Sequence, residues 1–317
     1  MEKRLLGKSG LLVSRLAFGS LTVGPLQANL PIEEGARIIA YAFDRGVNFI
    51  DTAQYYQNYE YIGRALELAK NKDIVLSTKS YAYSKEQAVE AVEEARRKTG
   101  KDVIDVFMLH ETESALTIRG HMEAVEYYAE LRAKGIIKAL GVSTHHVAGV
   151  LGAVKAGLFD VIHPIFNLKG LGIADGTRDD MEAAIKNAAE ENIGIFTMKS
   201  LGGGNFHSDA QSAFDFVLSK DYIHSVAVGM QSIAEVDANI AYFEGKGFSE
   251  TEKERLSEKK RRLHIESWCE GCGRCTERCH QKALKIGAGE KAEVDTGKCV
   301  LCGYCAPVCP VFAIKVF

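Results

Sequence analysis

The sequence predicts a closed (β/α)8 (TIM) barrel followed by a small, cysteine-rich domain. Two observations lead to this expectation. Short apolar segments rich in β-branched residues alternate with helical patterns along most of the chain, and all eight cysteines lie between Cys269 and Cys309. A chain of 317 residues suits one large domain and one small domain. We therefore expect residues 1–262 to form the barrel with a linker helix, and residues 263–317 the second domain.

The candidate barrel strands have the spacing of an alternating β/α chain. A doubly wound open sheet is the alternative, but no G-x-G-x-x-G motif follows the first strand. The leader EKRLLGKSGLLVS predicts a hairpin before the barrel. In chain order the candidate strands are RLAFGS, NFIDTA, DIVLSTK, VIDVFMLH, IKALGVS, VIHPIFN, IGIFTMK and HSVAVGM.

Several helix boundaries can be read directly from the residues. Pro31 is expected to begin a helix that Gly46 ends, since proline suits a helix start and glycine a helix end. Ser84 and Gln87 have the spacing of a capping box, and Gly100 is expected to end that helix. Glycines are expected to end later helices in the same way at Gly135, Gly157 and Gly194.

Composition limits the partners and the location. The net charge of −3 gives no reason to expect nucleic acid, and no apolar run is long enough to span a membrane. Lys8 and Arg15 interrupt the apolar N-terminal segment, so we expect no signal peptide and a cytoplasmic protein. The charged segment ETEKERLSEKKRR, residues 250–262, predicts an exposed helix between the two domains.

Four polar residues occur at or just after the ends of successive candidate strands. Asp51 ends NFID, Tyr56 follows in the next loop, Lys79 ends LSTK and His110 ends VFMLH. A (β/α)8 barrel carries its chemistry at these strand ends. Each residue alone has an ordinary structural explanation. Four together are harder to explain that way, because burying polar groups without a role costs free energy.

These residues lie in motifs that resemble the aldo-keto reductase family. The motifs are GVNFIDTAQYY, EYIGRAL, LSTK, MLHE and GVST, and the resemblance extends from residue 1 to about residue 245. It implies a barrel that reduces a carbonyl reversibly with a nicotinamide cofactor. It also implies that Tyr56 is the general acid, that Lys79 lowers the tyrosine pKa, and that Asp51 holds the lysine. His110 would orient the substrate carbonyl.

The resemblance also implies contacts to the cofactor, with departures from the family pattern. Ser143 and Thr144 occupy the place of a Ser-Asn pair that holds the carboxamide. His163 stands where the family has a glutamine, and Met198 where it has a tyrosine that stacks on nicotinamide. The expected cofactor contacts are Ser143, Thr144, His163, Met198, Lys199, Leu201, Gly202, Gly203, Gly229, Gln231, Glu235 and Asn239.

Two segments bear on the rest of the cofactor. Lys199 and the glycine run 202–204 are placed to bind phosphates, since glycine lets backbone N–H groups approach an anion. The segment from Gly229 to Tyr242 contains no lysine or arginine, whereas many family members hold the 2′-phosphate of NADP there. The sequence is therefore compatible with either NAD or NADP as the cofactor. This segment is also short, so we expect the C-terminal domain to supply part of the pocket wall.

The cysteines form two quartets with the spacing C-x2-C-x2-C-x3-C. This is the bacterial ferredoxin arrangement for two [4Fe–4S] clusters, in which the fourth cysteine of each run binds the other cluster. Two structural zinc sites are the alternative, although zinc domains usually pair C-x2-C units at a distance. The segment 282–298 between the quartets predicts a hairpin. The expected ligand sets are Cys269, Cys272, Cys275 and Cys309 for one cluster, and Cys299, Cys302, Cys305 and Cys279 for the other.

The two predicted domains handle electrons differently, because hydride transfer moves two electrons and each cluster moves one. The first hypothesis is a nicotinamide-dependent oxidoreductase for a small carbonyl or alcohol, whose clusters shape the pocket or bind a partner. The second is an electron-transfer enzyme that exchanges electrons with a ferredoxin-type or membrane partner. In that case a bound flavin could connect two-electron hydride transfer with one-electron transfer by the clusters, although no flavin motif is present. The third, a non-catalytic redox sensor, is disfavoured because all four candidate catalytic residues are present.

Overall fold

A computed structural model of the chain describes residues 1–257 and 261–316. The N-terminal leader forms the predicted hairpin, in which β1 (Lys3–Leu5) pairs antiparallel with β2 (Leu12–Ser14). Its apolar side chains Leu6, Leu11 and Val13 pack with buried residues of the barrel interior. The hairpin therefore closes one end of the barrel.

Eight parallel strands form the closed barrel, so the predicted fold class is confirmed and the open sheet is wrong. Each candidate segment supplies one strand. The last barrel strand pairs with the first, which closes the sheet. The barrel strands are β3 (Leu16–Gly19), β4 (Phe49–Asp51), β5 (Val75–Ser80), β6 (Ile104–Leu109), β7 (Ile137–Thr144), β8 (Val161–Pro164), β9 (Gly194–Met198) and β10 (Ser225–Gly229).

Most of the helices surround the barrel and pack on it through buried apolar faces, while the last lies in the C-terminal domain. None of the described helices is long and apolar enough to cross a bilayer. The helices are α1 (Ile32–Asp44), α2 (Tyr59–Leu68), α3 (Lys85–Thr99), α4 (Ala115–Gly120), α5 (Met122–Ala133), α6 (Val147–Ala156), α7 (Arg178–Glu190), α8 (Ala210–Leu218), α9 (Ile233–Phe243), α10 (Glu250–Ser257) and α11 (Arg274–Arg278).

Most of the expected helix boundaries are confirmed. Pro31 directly precedes α1, and Gly100 ends α3 with a left-handed φ of 70°. The Ser84 hydroxyl accepts a hydrogen bond from the Gln87 N–H at 3.3 Å, but the Gln87 side chain accepts from Tyr83 rather than from Ser84. The predicted capping box is therefore only half formed.

Gly194 does not end a helix as expected. It is the first residue of β9, and α7 ends earlier, at Glu190. A Cβ atom at this position would lie 2.5 Å from the Leu6 carbonyl oxygen. The glycine is required by the close approach of the N-terminal segment, a long-range contact that the local sequence does not reveal.

The C-terminal domain contains two small antiparallel sheets. One pairs β11 (Leu263–Ile265) with β14 (Ile314–Val316). The other pairs β12 (Leu284–Ile286) with β13 (Ala292–Val294), which confirms the predicted hairpin. The expected linker helix is present as α10, while residues 258–260 of that prediction lie outside the described part of the chain.

Strand β14 lies directly on the loop that follows β9. The Val316 N–H donates to the Gly203 carbonyl at 2.9 Å, and the Asn205 side chain donates to the Ile314 carbonyl at 3.3 Å. Gly204 has a φ of 83°, and a Cβ atom there would lie 1.8 Å from the Val316 carbonyl oxygen. The glycine loop therefore fits the C-terminal strand at backbone-to-backbone distance.

We predict that Gly204→Ala loosens this contact, because the added methyl group and the Val316 carbonyl cannot occupy the same space. Gly157→Ala is a matched control, since Gly157 also has a positive φ, of 66°, but has no atom within 4 Å of its added Cβ. We expect the free energy of unfolding to fall by about 2 kcal/mol more in the Gly204 variant than in the control. A midpoint of thermal unfolding lower by roughly 5 °C would show this, and equal midpoints would contradict it.

Candidate active site

The barrel and the C-terminal domain enclose one large cavity at the carboxyl ends of the strands. Its volume is about 800 Å³, within the usual range for a small-molecule site. Tyr56 and His110 line it from the barrel, and Trp268, Phe312 and Lys315 line it from the C-terminal domain. The expectation that the second domain supplies part of the pocket wall is confirmed.

A buried ion pair lies at the base of this cavity. Asp51 ends β4 and Lys79 lies in the neighbouring β5, and the lysine Nζ is 2.8 and 2.7 Å from the two carboxylate oxygens. The same ammonium donates to the Thr52 carbonyl at 2.8 Å. Lys79 is only 1% exposed and does not line the cavity itself. It therefore lies beneath the cavity and acts on it through its neighbours.

Burial and charge act in opposite directions on this pair. Burial raises the pKa of Asp51, but the nearby charges of Lys79 and His163 outweigh it and hold that pKa below its usual range. Burial lowers the pKa of Lys79, and the Asp51 carboxylate opposes this shift. Asp51 is therefore ionised at neutral pH, and each group depends on its partner to remain charged.

Tyr56 lies in a short 3-10 helix, Gln54–Tyr56, and lines the cavity. The Lys79 Nζ is 5.1 Å from the centre of its ring. Burial, followed by the charges of Asp51 and Glu111, raises the pKa of Tyr56 well above its usual range. Burial and these carboxylates therefore set the direction of this shift, which is opposite to the lowering expected from Lys79.

His110 follows β6 and is held between two aromatic rings. It stacks on Tyr81 with ring centres 4.4 Å apart, and meets Tyr56 edge-on at 5.7 Å. Burial, followed by the charge of Lys79, holds the pKa of His110 well below its usual range, so the ring is neutral. Its buried Nδ1 has no hydrogen-bond partner among the described residues. A neutral imidazole carries one donor and one acceptor nitrogen, so His110 can donate to a carbonyl oxygen.

Tyr81 was not predicted as a site residue. Its hydroxyl donates to the Glu111 carboxylate at 2.6 Å, which fixes the ring that supports His110. The signal was present in the sequence, because Tyr81 directly follows β5 at the same end of the barrel as Lys79.

His163, in β8, contacts the ion pair. Its Nδ1 is 2.7 Å from the Phe196 carbonyl, and because a carbonyl only accepts, Nδ1 must carry the hydrogen. The opposite nitrogen, Nε2, lies 3.5 Å from the Asp51 carboxylate. His163 also lines the cavity, at the position where a carboxamide contact is expected.

Ser143 and Thr144 are fully buried at the end of β7 and do not line the cavity. The Ser143 hydroxyl accepts from the Glu111 N–H at 3.1 Å, and the Thr144 hydroxyl donates to the Thr112 carbonyl at 2.5 Å. Both hydroxyls therefore bind the backbone of the neighbouring loop in this arrangement.

The remaining expected cofactor residues divide into two groups. Gly202 and Asn239 do not line the cavity, and a Cβ atom on Gly202 would meet the ring of Phe206. The others line it together with His163. These lining residues are Met198, Lys199, Leu201, Gly203, Gly229, Gln231 and Glu235.

None of the eight cysteines forms a disulfide. Burial raises the pKa of Cys275, and the neighbouring Cys309, Cys269 and Cys272 raise it further, so these four lie together. They are the four that the spacing assigns to one cluster. No set of three or more His, Cys, Asp or Glu side chains in the described residues could hold a single metal ion.

Backbone N–H groups point at three of the cysteine sulfurs. The Ala313 N–H lies 3.2 Å from the Cys309 Sγ, and those of Ala283 and Ala292 lie 3.3 and 3.4 Å from the sulfurs of Cys279 and Cys269. Hydrogen bonds to sulfur stabilise thiolates and tune the potential of iron–sulfur clusters. The loops therefore fit cysteines that bind iron as thiolates.

Comparison with known families agrees with both halves of the chain. The sequence model of the aldo/keto reductase family matches residues 15–213. The chain belongs to the aldo/keto reductase family. A model of a 4Fe-4S dicluster domain matches residues 268–313 of this aldo/keto reductase, which favours iron–sulfur over zinc at the cysteine quartets.

Two named relatives of this aldo/keto reductase are a dehydrogenase and a reductase. It is 22% identical to L-galactose dehydrogenase of Arabidopsis thaliana over 285 residues, which covers 76% of this chain and 88% of the relative. It is 28% identical to methylglyoxal reductase DkgA of Escherichia coli (strain K12) over 177 residues, covering 53% of this chain and 63% of the relative. The chain is therefore an oxidoreductase of this family.

Solved structures confirm the barrel. The structure of an aldo-keto reductase from Pseudomonas aeruginosa superimposes with a TM-score of 0.66 and 26% identity, covering 77% of this chain and 95% of that one. An aldo-keto reductase from Bacillus halodurans gives a TM-score of 0.66 at 23% identity, covering 81% of this chain and 96% of that one. At 23% identity, the similarity to the Bacillus halodurans protein shows a shared fold.

We predict that Lys79→Met destabilises the protein strongly, because it leaves the Asp51 carboxylate buried without its cation. Removing one partner of a buried pair costs about 3–5 kcal/mol. Lys98→Met is the control, since Lys98 pairs with Glu94 at 2.8 Å on the surface of α3, where such pairs are worth about 0.3–0.5 kcal/mol. Denaturant unfolding at neutral pH measures both.

The pH dependence tests the cause. In the wild type the Asp51 pKa is lowered, so its stabilising contribution is present above the unfolded value of about 3.9 and is lost as pH falls through the folded value. In the variant, burial raises that pKa, and the penalty disappears once the carboxyl group is protonated in both states. The difference between the two proteins should shrink below about pH 4. A difference that stays constant would rule out the charge of Asp51 as its cause.

Proposed function

We propose that this aldo/keto reductase interconverts a small carbonyl compound and its alcohol, using NAD or NADP. The observation that supports this most strongly is the buried Lys79–Asp51 pair, which lies beneath Tyr56 beside a neutral His110 at the wall of a large cavity. All four predicted catalytic residues are thereby brought together.

The cavity fits a nicotinamide cofactor in size and in part of its lining. A bound reduced nicotinamide would supply the hydride. Met198 and His163 border the space where a ring could lie, and Gln231 and Lys199 offer polar contacts on the same wall. The buried Nδ1 of His110, unpartnered among the described residues, marks a polar group that a ligand would satisfy.

In the reduction direction, Tyr56 would donate its hydroxyl proton to the carbonyl oxygen. Its raised pKa keeps it protonated beforehand, which is the form a donor requires. As the proton leaves, negative charge develops on the phenol oxygen, and the Lys79 ammonium is already close enough to stabilise it. Asp51 would fix the lysine in this position, and His110 would donate a hydrogen bond to the same carbonyl oxygen.

We predict that Tyr56→Phe reduces kcat for carbonyl reduction by about 100-fold to 10,000-fold, the usual contribution of a positioned general acid. The substitution removes one oxygen atom and keeps the ring beside His110. Tyr83→Phe is the matched control, because Tyr83 is 58% exposed and does not line the cavity. Turnover that survives the Tyr56 change would refute the assigned role.

A second candidate function is electron transfer through two [4Fe–4S] clusters held by the eight cysteines. Cys309 directly precedes Pro310, and Pro310, Val311 and Phe312 all line the cavity. A cluster bound through Cys309 would supply or accept single electrons immediately behind the cavity wall. This arrangement favours exchange between the cavity and a ferredoxin-type partner, with a flavin as the group that could join the two modes. A reducing cytoplasm suits both candidate functions.

An anaerobic titration separates the two functions. If the clusters take part in turnover, NADH or NADPH should bleach their broad visible absorbance, with flavin content measured beforehand. If the carbonyl reaction is complete within the barrel, neither nucleotide should bleach it, while dithionite does so fully. We expect no bleaching in the absence of flavin, because hydride transfer moves two electrons and each cluster accepts one.

A further inference from the structure

We propose that the substrate carries an anionic group, a carboxylate or a phosphate, which is bound by Lys199 of the barrel and Lys315 of the C-terminal domain. This inference rests on the proposed function, because it concerns the substrate of the same cavity. It assigns the iron–sulfur domain a part in substrate recognition.

Lys315 is a buried lysine with no ion-pair partner among the described residues. It lies in β14, is 3% exposed and lines the cavity. Its Nζ donates to the Phe312 carbonyl and lies 3.4 Å from the centre of the Phe312 ring. Among the described residues, no carboxylate oxygen lies within 4.0 Å of the Lys315 Nζ, the limiting distance for an ion pair. Burial, followed by the charge of Lys199, holds the pKa of Lys315 well below its usual range, and a bound anion would favour the charged form.

Lys199 approaches the same ring from the barrel. Its Nζ is 4.8 Å from the centre of the Phe312 ring and 2.8 Å from the His145 Nε2. It too has no ion-pair partner in the part of the chain that the structure describes. The residue has a φ of 60°, a left-handed conformation that is uncommon for a non-glycine residue and is often found at functional sites.

The nearby carboxylates are bound elsewhere. Glu111 accepts the hydrogen bond of Tyr81 at 2.6 Å, and Glu266 lies 3.4 Å from the His264 ring. Two ammonium groups therefore contact one aromatic ring from two domains with no acid between them at bonding distance. An anion with two or more oxygen atoms could accept from both lysines.

The position of these lysines favours the substrate over the cofactor as the source of the anion. Lys199 is close enough to His110 to be among the charges that lower the His110 pKa, so the site adjoins the residue proposed to orient the carbonyl. The glycine loop expected to bind cofactor phosphates also contacts β14, where the Gly203 carbonyl accepts from the Val316 N–H. The anion would therefore lie beside the reacting carbonyl.

The test compares benzaldehyde with its 2-, 3- and 4-carboxy derivatives, which span several distances between carbonyl and anion. We expect the wild-type holoprotein to prefer at least one carboxybenzaldehyde over benzaldehyde in kcat/KM by about tenfold or more. Lys315→Gln should remove most of this preference while leaving benzaldehyde turnover largely unchanged, and Lys199→Gln should remove the same preference whatever it does to cofactor binding. Lys285→Gln is the control, because Lys285 is exposed in the same domain and pairs with Glu293.

Two further measurements make every outcome decisive. Cluster absorbance shows whether a variant keeps its iron–sulfur domain. Calorimetric binding of the non-reacting anions benzoate and phthalate needs no turnover, so it tests the anion site even if the proposed carbonyl chemistry fails. An unchanged preference and unchanged anion binding in both lysine variants would overturn the proposal. Weaker NADPH and NADH binding, with the substrate preference intact, would overturn it as well, by assigning the anion to the cofactor.

Discussion

The backbone contact between β14 and the loop after β9 determines which side chains share the cavity. The Val316 N–H binds the Gly203 carbonyl, and Gly204 leaves no room for a side chain beneath Val316. This contact places Phe312 and Lys315 over the mouth of the barrel, opposite Tyr56 and His110. The buried apolar residues of both domains consequently belong to one continuous core. Without the contact, the barrel would still be closed, but its cavity would lack one wall.

Electrostatics divide the cavity into two regions with different balances of charge. At its base, both oxygens of the Asp51 carboxylate accept hydrogen bonds from the Lys79 ammonium, and burial makes the pair interdependent. Near the C-terminal wall, Lys199 and Lys315 contact aromatic and backbone groups without a carboxylate at bonding distance among the described residues. The first region has its counter-charge within the protein, whereas the second is where we propose that an anionic ligand binds.

The sequence was sufficient for features that depend on local pattern. The strand segments, the N-terminal hairpin and the strand-end positions of Asp51 and Lys79 follow from periodicity and from the geometry of parallel barrels. It was not sufficient where distant segments meet. Gly194 and Gly204 are glycines because remote backbone approaches them, a requirement that leaves no local trace. The direction of the Tyr56 pKa shift depends on its burial and on the nearby carboxylates of Asp51 and Glu111, which only the folded structure reveals.

The order in which the cavity is built follows from where its wall lies in the chain. During synthesis, the last barrel strand is complete at Gly229, while residues 310–316 have still to be added. A nascent chain at that stage has every barrel strand and every proposed catalytic side chain, yet its cavity is open to water on one side. The part of the wall that contains Phe312 and Lys315 is added only with the segment that directly follows the last cysteine, Cys309. Binding of a cluster through Cys309 and closure of the cavity by residues 310–316 would therefore both occur late in synthesis. Because these residues are adjacent, a chain that does not bind the cluster is expected to close its cavity less completely.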